Sequence, residues 1–146
     1  MYHGPRGLSL LADRVHRLTQ ILALGLTEMG YRVLTKRYFD TLTLHVPHLA
    51  RHLAARAREE SINLRVIDAD HLGISLDETV SRRTLRRLLG VFARKDATPG
   101  DIDALDARVE ASMPDALLRT DPILTHPVFE AYHSETEMMR DRKSVV

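Results

Sequence analysis

At 146 residues the chain is about the size of one average domain, long enough to bury roughly two thirds of its unfolded surface without metal or disulfide staples. Its 44% hydrophobic and 28% charged residues are those of a soluble globular protein, and a formal net charge of +1 calls for no nucleic acid or other polyanion as partner. The absence of cysteine excludes disulfides, thiolate catalysis and Cys-based metal sites, and no window approaches the roughly 18 continuous apolar residues of a membrane span.

The opening Tyr2 to Gly7 has no apolar run ahead of Asp13 and Arg14, so neither a secretory signal nor a transit peptide is expected and the chain reads as cytoplasmic. Leu11, Val15, Leu18, Leu22, Leu26 and Met29 then recur at three- and four-residue intervals, which predicts a helix over 6–29 with Asp13, Arg14, Arg17 and Gln20 off its apolar stripe. Gly30 is placed to end it in a left-handed cap. After Gly30 the period drops to two. Tyr31, Val33 and Thr35, then Leu42, Leu44 and Val46, mark two half-buried strands joined through Arg37 to Asp40.

Pro47 stops the second strand, and a helix over 48–60 follows with Leu49, Leu53 and Ala57 as its apolar positions. Alternation returns at Ile62, Leu64 and Val66 and again at Leu72, Ile74 and Leu76. Ser81 is an N-cap for a third helix carrying Leu85, Leu88, Leu89 and Phe92. Lys95 to Gly100 reads as a polar loop, and Thr98 or Asp101 opens a short helix through Ile102, Leu105 and Val109. Pro114, Pro122 and Pro127 break up 113–128, and a last helix over 134–142 has the acidic first turn that the helix dipole prefers. The expected fold class is α+β: a small mixed or antiparallel sheet with helices on one face over 1–112, then an extended segment over 113–146 ending in a short helix.

His126, His133, Glu135 and Glu137 form the densest titratable cluster, in which His133 and Glu137, one turn apart, could share a proton or a metal. His48 and His52 have a metal-chelating i, i+4 spacing, but no third ligand is near in sequence and arginines surround them, so a solvated helix face is the simpler reading. Gly4 to Gly7 ahead of a helix suggests an anion contact without the spacing of a phosphate loop. Asp77-Glu78 is explained by capping and the helix dipole. The arginines at 51, 56, 58, 82, 83, 86 and 87 lack interleaved aromatics and read as a solvated face or a subunit contact.

Several blocks resemble the glycine cleavage system P-protein family. They are Tyr2-His3-Gly4-Pro5 with Gly7-Leu8, Ala12 to Thr19, Tyr38-Phe39-Asp40-Thr41-Leu42, Ile62 to Arg65 and Gly73 to Thr79. The fullest is Leu124-Thr125-His126-Pro127-Val128-Phe129 with Tyr132 to Arg140 after it. The resemblance implies the aminotransferase-like (fold type I) pyridoxal-phosphate (PLP) fold, and the element order suits its small domain in the N-terminal half. It implies a glycine decarboxylase that passes the aminomethyl group to the lipoyl arm of the H-protein, with the rest of the P-protein and the lipoylated H-protein as partners and PLP in the full-length enzyme. The family's Schiff-base lysine sits in a His-Lys pair, and none of Lys36, Lys95 and Lys143 follows a histidine. The chain is therefore expected to lack a catalytic residue, to bind no cofactor or metal itself and to be inactive alone. On the resemblance, His126, His133, Ser134 and Glu135 are the contact candidates toward the catalytic half. The sequence from Asp141 onward leaves the family pattern, and Met1 begins after a cofactor-domain segment would have been completed, so a portion of a longer enzyme is expected. A free-standing interaction module that binds a P-protein half or the H-protein is the alternative.

Overall fold

The computed structural model describes residues 2–93, 100–110 and 113–144. By packing, these fall into two units, Arg14–Glu110 and the combination of Met1–Asp13 with Ala111–Val146. The expected loop over 95–99 lies outside the described residues.

The long helix predicted at the start is present as α1, Gly4–Glu28. Its stripe residues Val15, Leu18, Leu22 and Leu26 are buried, and Thr19 and Thr27 lose no hydrogen bond inside the helix because their hydroxyls donate to the carbonyls of Val15 and Ala23. Gly30, at φ +86°, closes α1: the Tyr31 N–H reaches back to the Leu26 carbonyl at 3.0 Å, the six-to-one bond of a Schellman cap. One expectation fails here. Gln20 was placed on the polar side, yet it is only 5% exposed, because residues 102–110 cross that flank and its amide donates to the Glu110 carbonyl.

Four strands follow: β1 (Arg32–Val33), β2 (Thr41–His45), β3 (Arg65–Val66) and β4 (His71–Ser75), in the order β1-β2-β4-β3 and antiparallel throughout. The central pair carries the alternation read from sequence. Leu42, Leu44, Leu72 and Ile74 are buried on one face, and Thr41 and Ser75 are exposed on the other. The outer strands are shorter than the alternation suggested. Past Leu34 the Thr35 hydroxyl, not a backbone carbonyl, accepts the Thr43 N–H (2.9 Å), so the ladder ends. Val66, read as a core position, is 38% exposed because β3 is a two-residue edge strand.

Helix α2 (Ala50–Glu59) starts two residues later than expected, which moves its buried stripe to Ala50, Leu53, Ala54 and Ala57 and leaves Leu49 exposed at the N-cap. It ends at Ser61, a non-glycine at φ +58°, with the Ile62 N–H bonded back to Ala57. Helix α3 (Arg82–Phe92) has the predicted cap, the Ser81 hydroxyl accepting the Thr84 N–H. Helix α4 (Ile102–Arg108) is capped by Asp101. Helices α1 to α4 and the inner sheet face share one core, with Phe92, Leu85, Leu89, Ile102 and Leu105 fully enclosed. The fold is thus α+β with the helices on one face of a small antiparallel sheet.

In the other unit, the first turns of α1 group with the proline-interrupted C-terminal segment. That segment holds a 3₁₀ turn at Asp115–Leu117, then α5 (Val128–Ala131) and α6 (Glu135–Ser144).

Candidate functional site

The candidate residues lie in two short helices and their caps. Pro127 precedes α5, where its missing N–H costs nothing, and the His126 ring supplies the cap: its Nδ1 accepts the Val128 N–H at 3.2 Å. The lone pair on Nδ1 leaves Nε2 to carry the proton of the neutral ring. Ser134 opens α6 in a reciprocal capping box. Its hydroxyl accepts the Glu137 N–H (3.2 Å), and Glu137 Oε2 accepts the N–H groups of both His133 (2.8 Å) and Ser134 (3.1 Å). The His133 N–H leads the interactions that hold the Glu137 carboxyl below its ordinary range. The carboxylate is thereby occupied by backbone, and the shared proton or metal read from the His133–Glu137 spacing is not what this pair forms. Among the described residues no group of three His, Asp or Glu side chains is placed to hold a metal ion.

His133 also reaches the opposite end of the sequence. A Cβ added at Gly4 would lie 3.4 Å from His133 Cε1 and 3.4 Å from the Phe129 carbonyl, and Gly4 has φ +62°. The positive φ is what favours glycine here, since a Cβ would make only ordinary contact with these neighbours. The first and last of the sequence blocks singled out above therefore meet at this point. His126 and Ser134 act as local caps, while Glu135 is exposed in the first turn of α6.

Beside these residues the first turns of α1 and residues 119–130 line an open groove of about 770 Å³, with Leu8, Ile123 and Leu124 among its apolar walls and Arg6, Arg119, Asp121 and Glu130 at its charged positions. Sequence reasoning missed this groove. The available signal was Leu8, which continues the α1 stripe one step before Leu11 and is 41% exposed.

Within the sheet unit the intermediate blocks lock onto one another. Arg14 donates to the carbonyls of Glu78 and Val80, and the Leu76 N–H donates to the Asp40 carbonyl. The His16 ring stacks on Phe39 (centroids 5.5 Å apart, planes 3° apart), with Nδ1 donating to the Phe39 carbonyl at 2.9 Å. Nearby, burial raises the Tyr38 phenol above its ordinary range.

The other candidates resolve into structure. His48 is not on a helix: it sits at φ +55° before α2, its ring 3.3 Å from Asp70, so the His48–His52 chelate spacing does not exist in space. The Asp77 carboxyl is lowered by hydrogen bonds from the Thr79 hydroxyl and N–H, which make it the turn cap that the sequence suggests. Gly4 to Gly7 form the first turn of α1 itself, with the Gly7 N–H on the His3 carbonyl.

Three comparisons bear on this arrangement. A family model described as "Glycine cleavage system P-protein" matches residues 1–92. Among curated proteins, glycine dehydrogenase (decarboxylating) 2 of Pseudomonas fluorescens is 48% identical over 146 residues, covering 99% of this chain. The glycine dehydrogenases (decarboxylating) of Serratia proteamaculans and Yersinia pestis are 51% and 50% identical over 143 residues, each covering 96% of this chain. The chain spans about 15% of the length of each of these relatives. Among solved structures a "NifS-like protein" aligns with a TM-score of 0.53 at 18% identity, over 60% of this chain and 28% of that one, a likeness of fold.

Proposed function

The chain belongs to the glycine cleavage system P-protein family, and from that premise we propose that it is the small-domain portion of a glycine decarboxylase. The polypeptide it matches in part would decarboxylate glycine with PLP and pass the aminomethyl group to the lipoyl arm of the H-protein. The observation that carries this reading is identity near 50% across 96–99% of the chain, which includes the block from His126 to Glu137 that the family model does not reach.

The residues described here do not fit the cofactor. Lys36 is exposed on the connection between β1 and β2, and the groove along the first turns of α1 is not lined by a lysine. No step of the PLP chemistry is assigned to this chain. Its contribution is a small domain plus a C-terminal segment in which His126 and Ser134 cap the helices that present His133 and Glu135 to the remainder of the polypeptide.

The test is a graft. The matching segment of the Pseudomonas fluorescens relative is replaced by these 146 residues, and release of carbon dioxide from carboxyl-labelled glycine is measured with PLP and lipoylated H-protein. The graft is expected to retain activity. A folded, PLP-loaded graft without activity would overturn the reading and favour a free-standing interaction module. In the active graft, His133→Ala should lower turnover far more than it lowers the melting temperature; matched losses would leave His133 a structural role only.

A further inference from the structure

The unit formed by Met1–Asp13 and Ala111–Val146 holds 44 of the 135 described residues, yet it carries seven of the eleven large apolar side chains exposed among them. Scattered apolar residues need no explanation, but these seven fall in a third of the described residues, and Leu8 among them lines a groove. The groove of about 770 Å³ lies wholly within this unit. Two of its polar side chains are engaged locally: the Ser9 hydroxyl donates to the Pro5 carbonyl, and Arg119 Nε donates to the Asp121 carbonyl. What it presents outward is the apolar surface of Leu8, Ile123 and Leu124, with two cations, Arg6 and Arg119, balanced by two anions, Asp121 and Glu130. Balanced charge disfavours a polyanion. An open trough of this size also fails to enclose a small molecule, which ordinarily has about 70–90% of its surface buried in its site.

We infer that this groove is the seat of a segment from the remaining part of the same P-protein polypeptide. That segment lays apolar side chains over Leu8, Ile123 and Leu124 and sets an acid near Arg6 and Arg119 and a base near Asp121 and Glu130. The inference rests on the proposed function. The relatives in which this sequence makes up 15% of the chain supply the occupant in the same molecule, where tethering replaces a bimolecular encounter by an intramolecular one. An occupant of that kind would cover Leu8, the one of these seven exposed apolar side chains that lines the groove, together with the half-buried Ile123 and Leu124.

The experiment uses the active full-length graft with the photo-crosslinking residue p-benzoylphenylalanine in place of Leu8, and a control with it in place of Leu49, which is 43% exposed in the sheet unit. After irradiation, crosslinked peptides are identified by mass spectrometry. Leu8 is expected to crosslink to peptides outside the 146-residue segment, with a yield an order of magnitude above that from Leu49. An active graft whose Leu8 crosslinks stay within residues 1–146 overturns the groove assignment and leaves the proposed function standing. Crosslinks between two copies of the graft at the same peptides assign the face to self-association and also overturn it. A folded but inactive graft removes the P-protein reading and the groove's occupant with it.

Discussion

Arg17 should be the most consequential surface-reaching side chain in the sheet unit, because its guanidinium fastens α4 to α1. Its Nε donates to Asp106 Oδ1 at 2.6 Å and its two other nitrogens to the carbonyls of Val109 and Asp106. Arg82 donates to the second oxygen of Asp106 and, at 2.7 Å, to Asp103. A hydrogen bond to a charged group contributes about 1.5–3 kcal/mol when shielded, whereas an exposed ion pair contributes about 0–1 kcal/mol. With Arg17 39% and Asp106 23% exposed at the side chain, the three bonds together fall between these limits. Arg17→Ala is therefore expected to destabilise by about 2–3 kcal/mol, and Arg17→Lys, which keeps the charge but not the fork, by about half of that. At a urea m-value of about 1.5 kcal/mol/M, the alanine variant's midpoint should fall by about 1–2 M. The bond from Arg17 leads the interactions that lower the Asp106 carboxyl below its ordinary 3.8. A lowered folded-state value means stability present above the unfolded value and lost as pH falls through the folded one. The gap between wild type and Arg17→Ala should thus be widest above about pH 5 and narrow on acidification. Equal losses in the lysine and alanine variants, or a gap independent of pH, would refute the assignment.

Other outcomes follow from the same geometry. Ser134→Ala removes the hydroxyl that caps α6 and should cost about 1 kcal/mol locally, seen as faster amide exchange at Glu137 and Met138 with the sheet unit unchanged. Four carboxyls are held below their ordinary values: Asp68 first by the Asp70 N–H, Asp77 by Thr79, Asp106 by Arg17 and Glu137 by the His133 N–H. Urea midpoints should stay flat near neutrality and fall together below about pH 4 as these groups protonate. Leu44→Ala, at a fully enclosed position, should cost about 2–5 kcal/mol by denaturant titration. Leu49→Ala should stay within about 0.5 kcal/mol, which separates the observed α2 stripe from the one read in sequence.

The fold was legible wherever period and punctuation agreed. The α1 stripe, the Gly30 cap, the Ser81 cap and the Leu42–Leu44 and Leu72–Ile74 alternations all state local chemistry that packing did not overrule. What failed were positions fixed by a partner distant in sequence. Gln20 is buried because 102–110 crosses over it, Leu49 is excluded because α2 begins at Ala50, and Val66 is exposed because its strand lies at the sheet edge. The site was legible in composition and not in role. His126, His133, Glu135 and Glu137 stand out by spacing, but only the fold reveals that Glu137 serves two backbone N–H groups and that Gly4 lies against His133.

Under the proposed function the segment serves catalysis it does not itself perform, and that distinction bears on how it would do so. A stretch that must meet another part of a polypeptide cannot carry unpaired backbone groups into the contact, since each would lose its water without a replacement. The caps of α5 and α6 resolve this ahead of assembly: the His126 ring takes the Val128 N–H, and Glu137 and Ser134 between them take three more. The segment can then be covered without a desolvation penalty at those groups. What it has left to offer is side chains, namely Glu135, the edge of the His133 ring and the exposed Met138 and Met139. Residues that cap their own helices and residues that meet a neighbour are thus interleaved in one short run. Exchanging Ser134 should therefore loosen α6, whereas exchanging Glu135 should leave α6 intact and act only in the assembled enzyme.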